Sequence, residues 1–473
     1  PGDEGTPGKD IFGGIIPIPI PEDTALKCGE GVELSEDCLQ YTAKIQGHVK
    51  LSMDGELSVF PGIRIDGDVG NETGHVDFVG HIDISGMVQK GFSVKGKSLK
   101  AGELQGANIV IENDVDIMGG IYDSNVKCGG HLKVSHVHNS TIDASGDLSL
   151  SALSNQSVDA TIVAVSVAVA GGAIGISGSG AGVGAENRIA TNVGAFIDGI
   201  RADGGIVADS IALDAEDASF ITADIAAVSV AFSCAPIGVA VAIAAVEATN
   251  EIGNIVLAAI DNADNGSGAI ADGNNGVEAR SGKITVEAEE RSLIRAFALA
   301  FAVSGSSLVS GSGAGTSATN TTTTSTKARV RDSRIKAKTG IAVTASDESS
   351  IIAELPVIAI SGSLVSIAGA VSLTDNTIGS TVDAFMQDST ATATKGDVDV
   401  TAQSNITVAA NTLVVAISTA LSGAVTSATS TIEGHTRAWL GTNSIVTAGE
   451  GDMAQGDINV LSSSNAAAST KLD

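Results

Sequence analysis

Aromatic residues are nearly missing from this chain: one Trp, two Tyr and ten Phe stand among 473 residues. That scarcity argues against a wide globular core, and against a polysaccharide-cutting β-helix, which needs rings to hold sugar. Positive charge is short as well. Against 55 Asp and Glu the chain sets 26 Lys and Arg, a formal net charge of −29, so a nucleic-acid backbone would be repelled. Such charge keeps a long, edge-rich β-protein soluble. No GGxGxD array of the calcium-binding kind occurs. Proline is scarce and lopsided, with five of eight in the first 41 residues, including the run IIPIPIPED at 15–23. Alternating Pro forbids continuous ladder bonding, so residues 1–41 are expected to form an extended arm or cap. Four cysteines are present. Cys28 and Cys38 lie close enough in sequence to bridge, although spacing alone does not show it, while Cys128 and Cys234 read as buried small hydrophobes. The chain begins at Pro1 without a basic segment or an apolar signal core, so it reads as a processed or excised piece.

What is abundant is alternation. In IDASGDLSLSA at 142–152, Ile142 precedes a Gly-Asp corner, and then Leu148, Leu150 and Ala152 point one way while Ser149 and Ser151 point the other. Period-two alternation marks a strand with one buried face. The same frame fits Val76 with Ile82, Ile109 with Val115 and Val126 with Leu132, and Val94 with Leu99 one residue short. Frame starts at 76, 94, 109, 126 and 142 are 18, 15, 17 and 16 residues apart. So short a period, without helix, predicts an all-β parallel β-solenoid beginning near residue 42.

Past residue 150 the period lengthens. A strand of the form I-x-V-x-A returns at Leu148, Ile211, Ile284, Ile341, Val398 and Ile458, at spacings of 63, 73, 57, 57 and 60. A second motif, N-x-I-x-x-x-V-x-A-x-I, falls between these at Asn187, Asn250 and Asn376, with weaker copies at Asn320 and Ser430. The reading is an arm (1–41), a short-period solenoid (42–150) and repeats of about 60 residues (151–473) in one continuous rod.

Each long repeat carries an almost uncharged run, such as Ile162 to Gly182 and Ile225 to Val246. Their length suits a membrane helix, but Pro236, β-branching and dense Gly and Ser oppose one, so membrane insertion is not expected. Two strands joined by a Gly/Ser turn, apolar on both faces, fit better. An exposed face of that kind would be an association surface.

Chemistry-bearing clusters are few. Cys128, His131, His136 and His138 make a weak metal-site candidate, because His136 and His138 share a strand face but no typical zinc spacing is present. Carboxylates read as scattered through corners, with no pair on adjacent repeats, and no phosphate loop or nucleophile elbow is legible. Neither catalysis nor a cofactor is expected.

Two resemblances follow. Gly8, Asp10 and Gly13, then AKIQGHV, IRIDGDVGNETGHVDFVGHIDISGMVQKGFSVKG and VDIMGGIYDSNVKCGGHLKVSHVHNSTIDASGDLSL, resemble the β-solenoid domain of flagellar assembly protein A over residues 1–150. This implies a right-handed parallel β-helix used as a scaffold, with the family's amino-terminal domain expected to be missing. Residues 150–473 resemble the repeats of large leukotoxin-like filamentous adhesins, which implies an extracellular, elongated surface protein. Three functions are therefore open. The first is a self-associating filament subunit at the bacterial cell surface, joined end to end and side by side to copies of itself. A segment of a giant adhesin with a cell-surface ligand is the second, and a cytoplasmic scaffold tied to flagellar assembly the third.

Overall fold

The computed structural model describes residues 8–9, 15–16, 26–35, 40–45, 47–52, 55–202, 204–264, 276–449 and 456–472. Its described elements are all β-strands, without a helix. Two compact units result, 1–132 and 133–473, so the division falls before the expected boundary at 150.

The first unit opens with short strands. Where an extended arm was expected, Gly8–Lys9 pairs antiparallel with Ile15–Ile16, and Val32–Leu34 with Tyr41–Ala43. His48–Leu51 and Glu56–Phe60 form a hairpin. Lys27–Cys28 pairs parallel with the start of Glu56–Phe60, but the continuous parallel ladder begins at Gly62–Ile65, later than residue 42, when this strand pairs with His81–Ile84. From there each coil makes three short strands. Val76, Val94, Ile109 and Val126 stack in register on one face, and Ile82, Leu99 and Val115 on the next. All seven are buried. The corner before Leu99 is one residue shorter, and that loss stays in the corner because a slip within a strand would turn its buried side outward.

In the second unit the coils widen into two long sheets and one short one. The first long sheet stacks Leu148–Ala170, Ile211–Ser233, Lys283–Gly305, the pair Gly340–Asp347 and Ser350–Gly362, Val398–Ile417, and Ile458–Leu472. Its neighbour stacks Ile174–Ile200, Ile237–Asp261, Val309–Arg331, Val365–Gln387 and Leu421–Leu440. Both motifs hold register. Leu148, Ile211, Ile284, Ile341, Val398 and Ile458 are successive partners in the first sheet. Asn187, Asn250, Asn320, Asn376 and Ser430 are successive partners in the second. Leu150 and Ile142 are fully buried.

Between the long sheets lies a thin core. Alternate residues of both, among them Ala223, Ala227, Ala240, Ala244, Ala298 and Ala368, pack into one cluster that is mostly alanine. An isoleucine layer, with Ile221, Ile252, Ile294 and Ile378, lies beside it. Small side chains suit two sheets that face each other through their whole length. Asparagines tie the layer along its stack: Asn187, Asn250 and Asn320 each donate Nδ2 to Oδ1 of the next, at 2.8 Å every time.

The corners that lead out of the second long sheet share a device absent from the sequence reading. Asn139, Asn262, Asp332, Asp388 and Asn443 all take positive φ, from 43° to 57°. Asn and Asp tolerate this region because their short polar chains bond locally. In four of the five the next residue is serine, and Ser140, Ser333 and Ser389 donate their hydroxyls to the carbonyl two residues back, at 2.6 to 2.8 Å. The recurring Asp-Ser and Asn-Ser dipeptides were the available signal.

Candidate functional site

The histidine and cysteine candidates do not assemble a metal centre. Cys128 points into the core of the first unit, its Sγ 3.5 Å from the Gly130 carbonyl, and His131 is exposed there. In the second unit His136 and His138 do share an outward face, on either side of buried Val137. His136 stacks on Phe196 with ring centroids 5.0 Å apart, and His138 Nδ1 lies 3.2 Å from Asp198 Oδ2. Among the described residues no group of three or more His, Cys, Asp or Glu is arranged to hold a metal ion. Cys28 is exposed, and its candidate disulfide partner Cys38 lies outside the described residues. Cys234, expected in the core, is exposed because it begins the turn Cys234–Pro236 between two long strands.

The carboxylates hold a larger correction, for three of them do stack on adjacent coils. Asp217, Glu290 and Asp347 each follow Ile211, Ile284 and Ile341 by six residues, an even offset that keeps them on the inward side. All three are at most 1% exposed. The facing sheet supplies donors in the same order. Thr191 Oγ1 reaches Asp217 Oδ1 at 2.8 Å, and Asn254 Nδ2 reaches Asp217 Oδ2 at 2.7 Å and Glu290 Oε1 at 3.1 Å. Thr324 and Ser380 both donate to Asp347 Oδ2, at 2.5 and 2.7 Å. Serines two residues on, Ser219, Ser292 and Ser349, bond the carboxyl of their own strand.

Within this spine Glu290 differs from its neighbours. Asp217 and Asp347 each accept three donors, whereas Oε2 of Glu290 has no partner. Burial pushes the Glu290 carboxyl up to about 8, with the bond from Ser292 opposing and the negative charge of Asp217 and Asp347 reinforcing. Burial thus favours its neutral form, and it lies in register between Asp217 and Asp347. Asn254 Nδ2 bridges Asp217 and Glu290. All three acids are buried and hydrogen-bonded to side chains of the fold.

The uncharged runs form the far half of both long sheets, as strand, turn and strand. Their inner faces build the alanine core, and their outer faces are apolar too. On the first sheet Val163, Val165, Val167 and Val169 are 63 to 69% exposed. Behind Val165 the next coils place Val228 and Phe301 in register. No helix among the described residues is long and apolar enough to cross a membrane.

The second sheet is corrugated instead. Outward positions of its first coil are Gly178, Gly180 and Gly182, and those of the second are Val241, Ile243 and Ala245. The third returns to Gly311, Gly313 and Gly315, and the fourth brings Ile367, Gly369 and Val371. The result is a row of glycine between two aliphatic rows. An open trough of about 440 Å³ lies there, floored by Gly315 and walled by Ala245, Val371 and Leu373.

Comparison with known families bears on the first part of the chain. Residues 61–205 match the family described as the Flagellar Assembly Protein A beta solenoid domain, and residues 1–54 match its N-terminal region. No curated protein and no solved structure gives a match. The FapA-type resemblance therefore stands, over less than half of the chain, and reaches beyond residue 150 into the first long coil. The amino-terminal region expected to be missing is matched. The start of the solenoid match at 61 agrees with Gly62–Ile65 as the strand that opens the continuous parallel stack. Nothing in the comparisons supports the adhesin-like repeats. The extracellular placement is overturned, since the matched family is one of flagellar assembly and typically cytoplasmic.

Proposed function

We propose that this protein is a non-catalytic β-solenoid scaffold that acts in the cytoplasm in flagellar assembly, offering the outer faces of its sheets to partners. The observation that carries this reading is the match of two successive segments to the two regions of one assembly family, in that family's order. The geometry supports it from a second side. The clustered acids are sealed between sheets and bonded within the fold, while the exposed surface offers broad, regular, apolar faces. Deletion of the gene in a flagellated host tests the proposal. Cells lacking it should lose assembled flagella, and the full chain should restore them. A chain carrying Val165→Asp and Val167→Asp should fold, judged by circular dichroism, yet fail to restore them. Normal flagella in the deletion strain would sink the proposal.

A further inference from the structure

The corrugated face of the second long sheet carries an inference beyond the scaffold reading and independent of it. We propose that this face is a two-fold interface between two copies of the chain, with the aliphatic row of one copy seated in the glycine row of the other.

The rows of the face follow a fixed order. Along the stack they run glycine, valine, glycine, isoleucine at Gly178, Val241, Gly311 and Ile367, and glycine, alanine, glycine, valine at Gly182, Ala245, Gly315 and Val371, while the row Gly180, Ile243, Gly313 ends on Gly369. A two-fold axis lying in the plane of the face, along the strands and between the second and third coils, reverses the order of coils while preserving level along the strands. It sets the second coil of one copy on the third of its partner, and the first on the fourth. Val241 and Ile243 then lie over Gly311 and Gly313, and Ile367 and Val371 over Gly178 and Gly182. From the level of Gly178 to that of Gly184 each aliphatic ridge meets a glycine, twice over, as an isologous contact requires; Gly180 meets Gly369, and the fit ends at the next level, where Ile176 would meet Val365 and Val239 would meet Val309. Aligning like coils instead would set glycine on glycine and leave voids. The first-sheet outer face, with valine, valine and phenylalanine in successive coils at Val165, Val228 and Phe301, has no such alternation.

Size and exposure agree. Val241, Ile243 and Ile367 are 43, 56 and 54% exposed, so the ridges are available to bury. Four coils about 4.8 Å apart, and the seven residues of about 3.3 Å each over which the rows fit, cover about 450 Å² per copy. Two copies reach about 900 Å², the size of a weak, concentration-dependent interface. Charge argues against a lipid occupant. Glu186, Glu247 and Asp375 edge the face, and an acidic rim is repelled by anionic headgroups. Between two copies the same rim weakens association at low salt, since Glu186 of one lies at the level of Asp375 of the other.

Sedimentation velocity of the full chain tests this over a wide concentration range and at two salt concentrations. The expected result is a monomer–dimer equilibrium that tightens as salt rises. Gly313→Val fills the trough at a position where an added Cβ meets nothing within 4 Å, so the fold tolerates it. It should weaken the dimer about a hundredfold with the melting midpoint unchanged. Ile243→Ser, which removes the opposing ridge, should do the same, and Val165→Thr on the other outer face should leave the dimer intact. A chain that stays monomeric at every concentration would overturn the proposal. So would Gly313→Val and Ile243→Ser dimerising as well as the wild type, or a monomer that floats with anionic vesicles.

Discussion

Glu290 keeps its proton where an exposed glutamate would have lost it, and that has a direction on the pH axis. The folded chain binds a proton between about 4.5 and about 8 that the unfolded chain has released. The contribution of this residue is therefore fully present below about pH 4.5 and is lost as pH rises through about 8, with a span on the order of 5 kcal/mol. Glu290→Gln, a neutral amide of the same shape, should flatten that part of the slope and leave the variant more stable than the wild type at pH 8. Urea unfolding of both chains from pH 5 to pH 9 reads this directly, and parallel slopes would count against it. The spine could have been found by parity. Stepping by twos from Ile211 passes Leu213, Ala215, Asp217 and Ser219, and the same walk from Ile284 and Ile341 meets Glu290 and Asp347. An acid in a strand reads as solvent-facing, because burial of charge is costly without donors, and those donors come from strands tens of residues away.

Among the elements, the asparagine column is the most regular, and it ends abruptly. Asn376 accepts from Asn320, but its own Nδ2 has no partner, and Ser430 stands where the next asparagine would be, its hydroxyl also unpartnered. Ser430→Asn should add one more bond of the same kind and stabilise that coil by about 1 kcal/mol. Hydrogen exchange across Leu421–Leu440 is the suitable measurement, and faster exchange in the variant would refute the expectation. The column itself was legible as a spacing, since Asn187, Asn250 and Asn376 mark the second motif. The residues at Asn320 and Ser430 read as weak copies, yet both hold register. The alternation of the whole strand, not one marker side chain, fixes position along a parallel ladder. Sequence strength is thus a poor guide to which rung belongs.

For the molecule as a whole, solenoid stability is close to a sum over coils and their neighbours. In the second unit Ile211–Ser233, Lys283–Gly305 and Val309–Arg331 are covered on both sides of the stack, whereas Ile458–Leu472 is exposed along most of its length. Amide exchange followed by mass spectrometry should be slowest in those three strands and fastest in Leu421–Leu440 and Ile458–Leu472. Uniform protection across the unit would mean that it opens as one block. The same neighbour rule explains how the chain varies. Successive marker positions are 63, 73, 57, 57 and 60 residues apart, yet every strand keeps its face. Length changes therefore collect between the strands, and a strand admits only even ones. The coil is a unit that evolution can copy, drop or decorate at its bends, and a peptide tag grafted into such a bend would ride on the protein without disturbing the strands on either side.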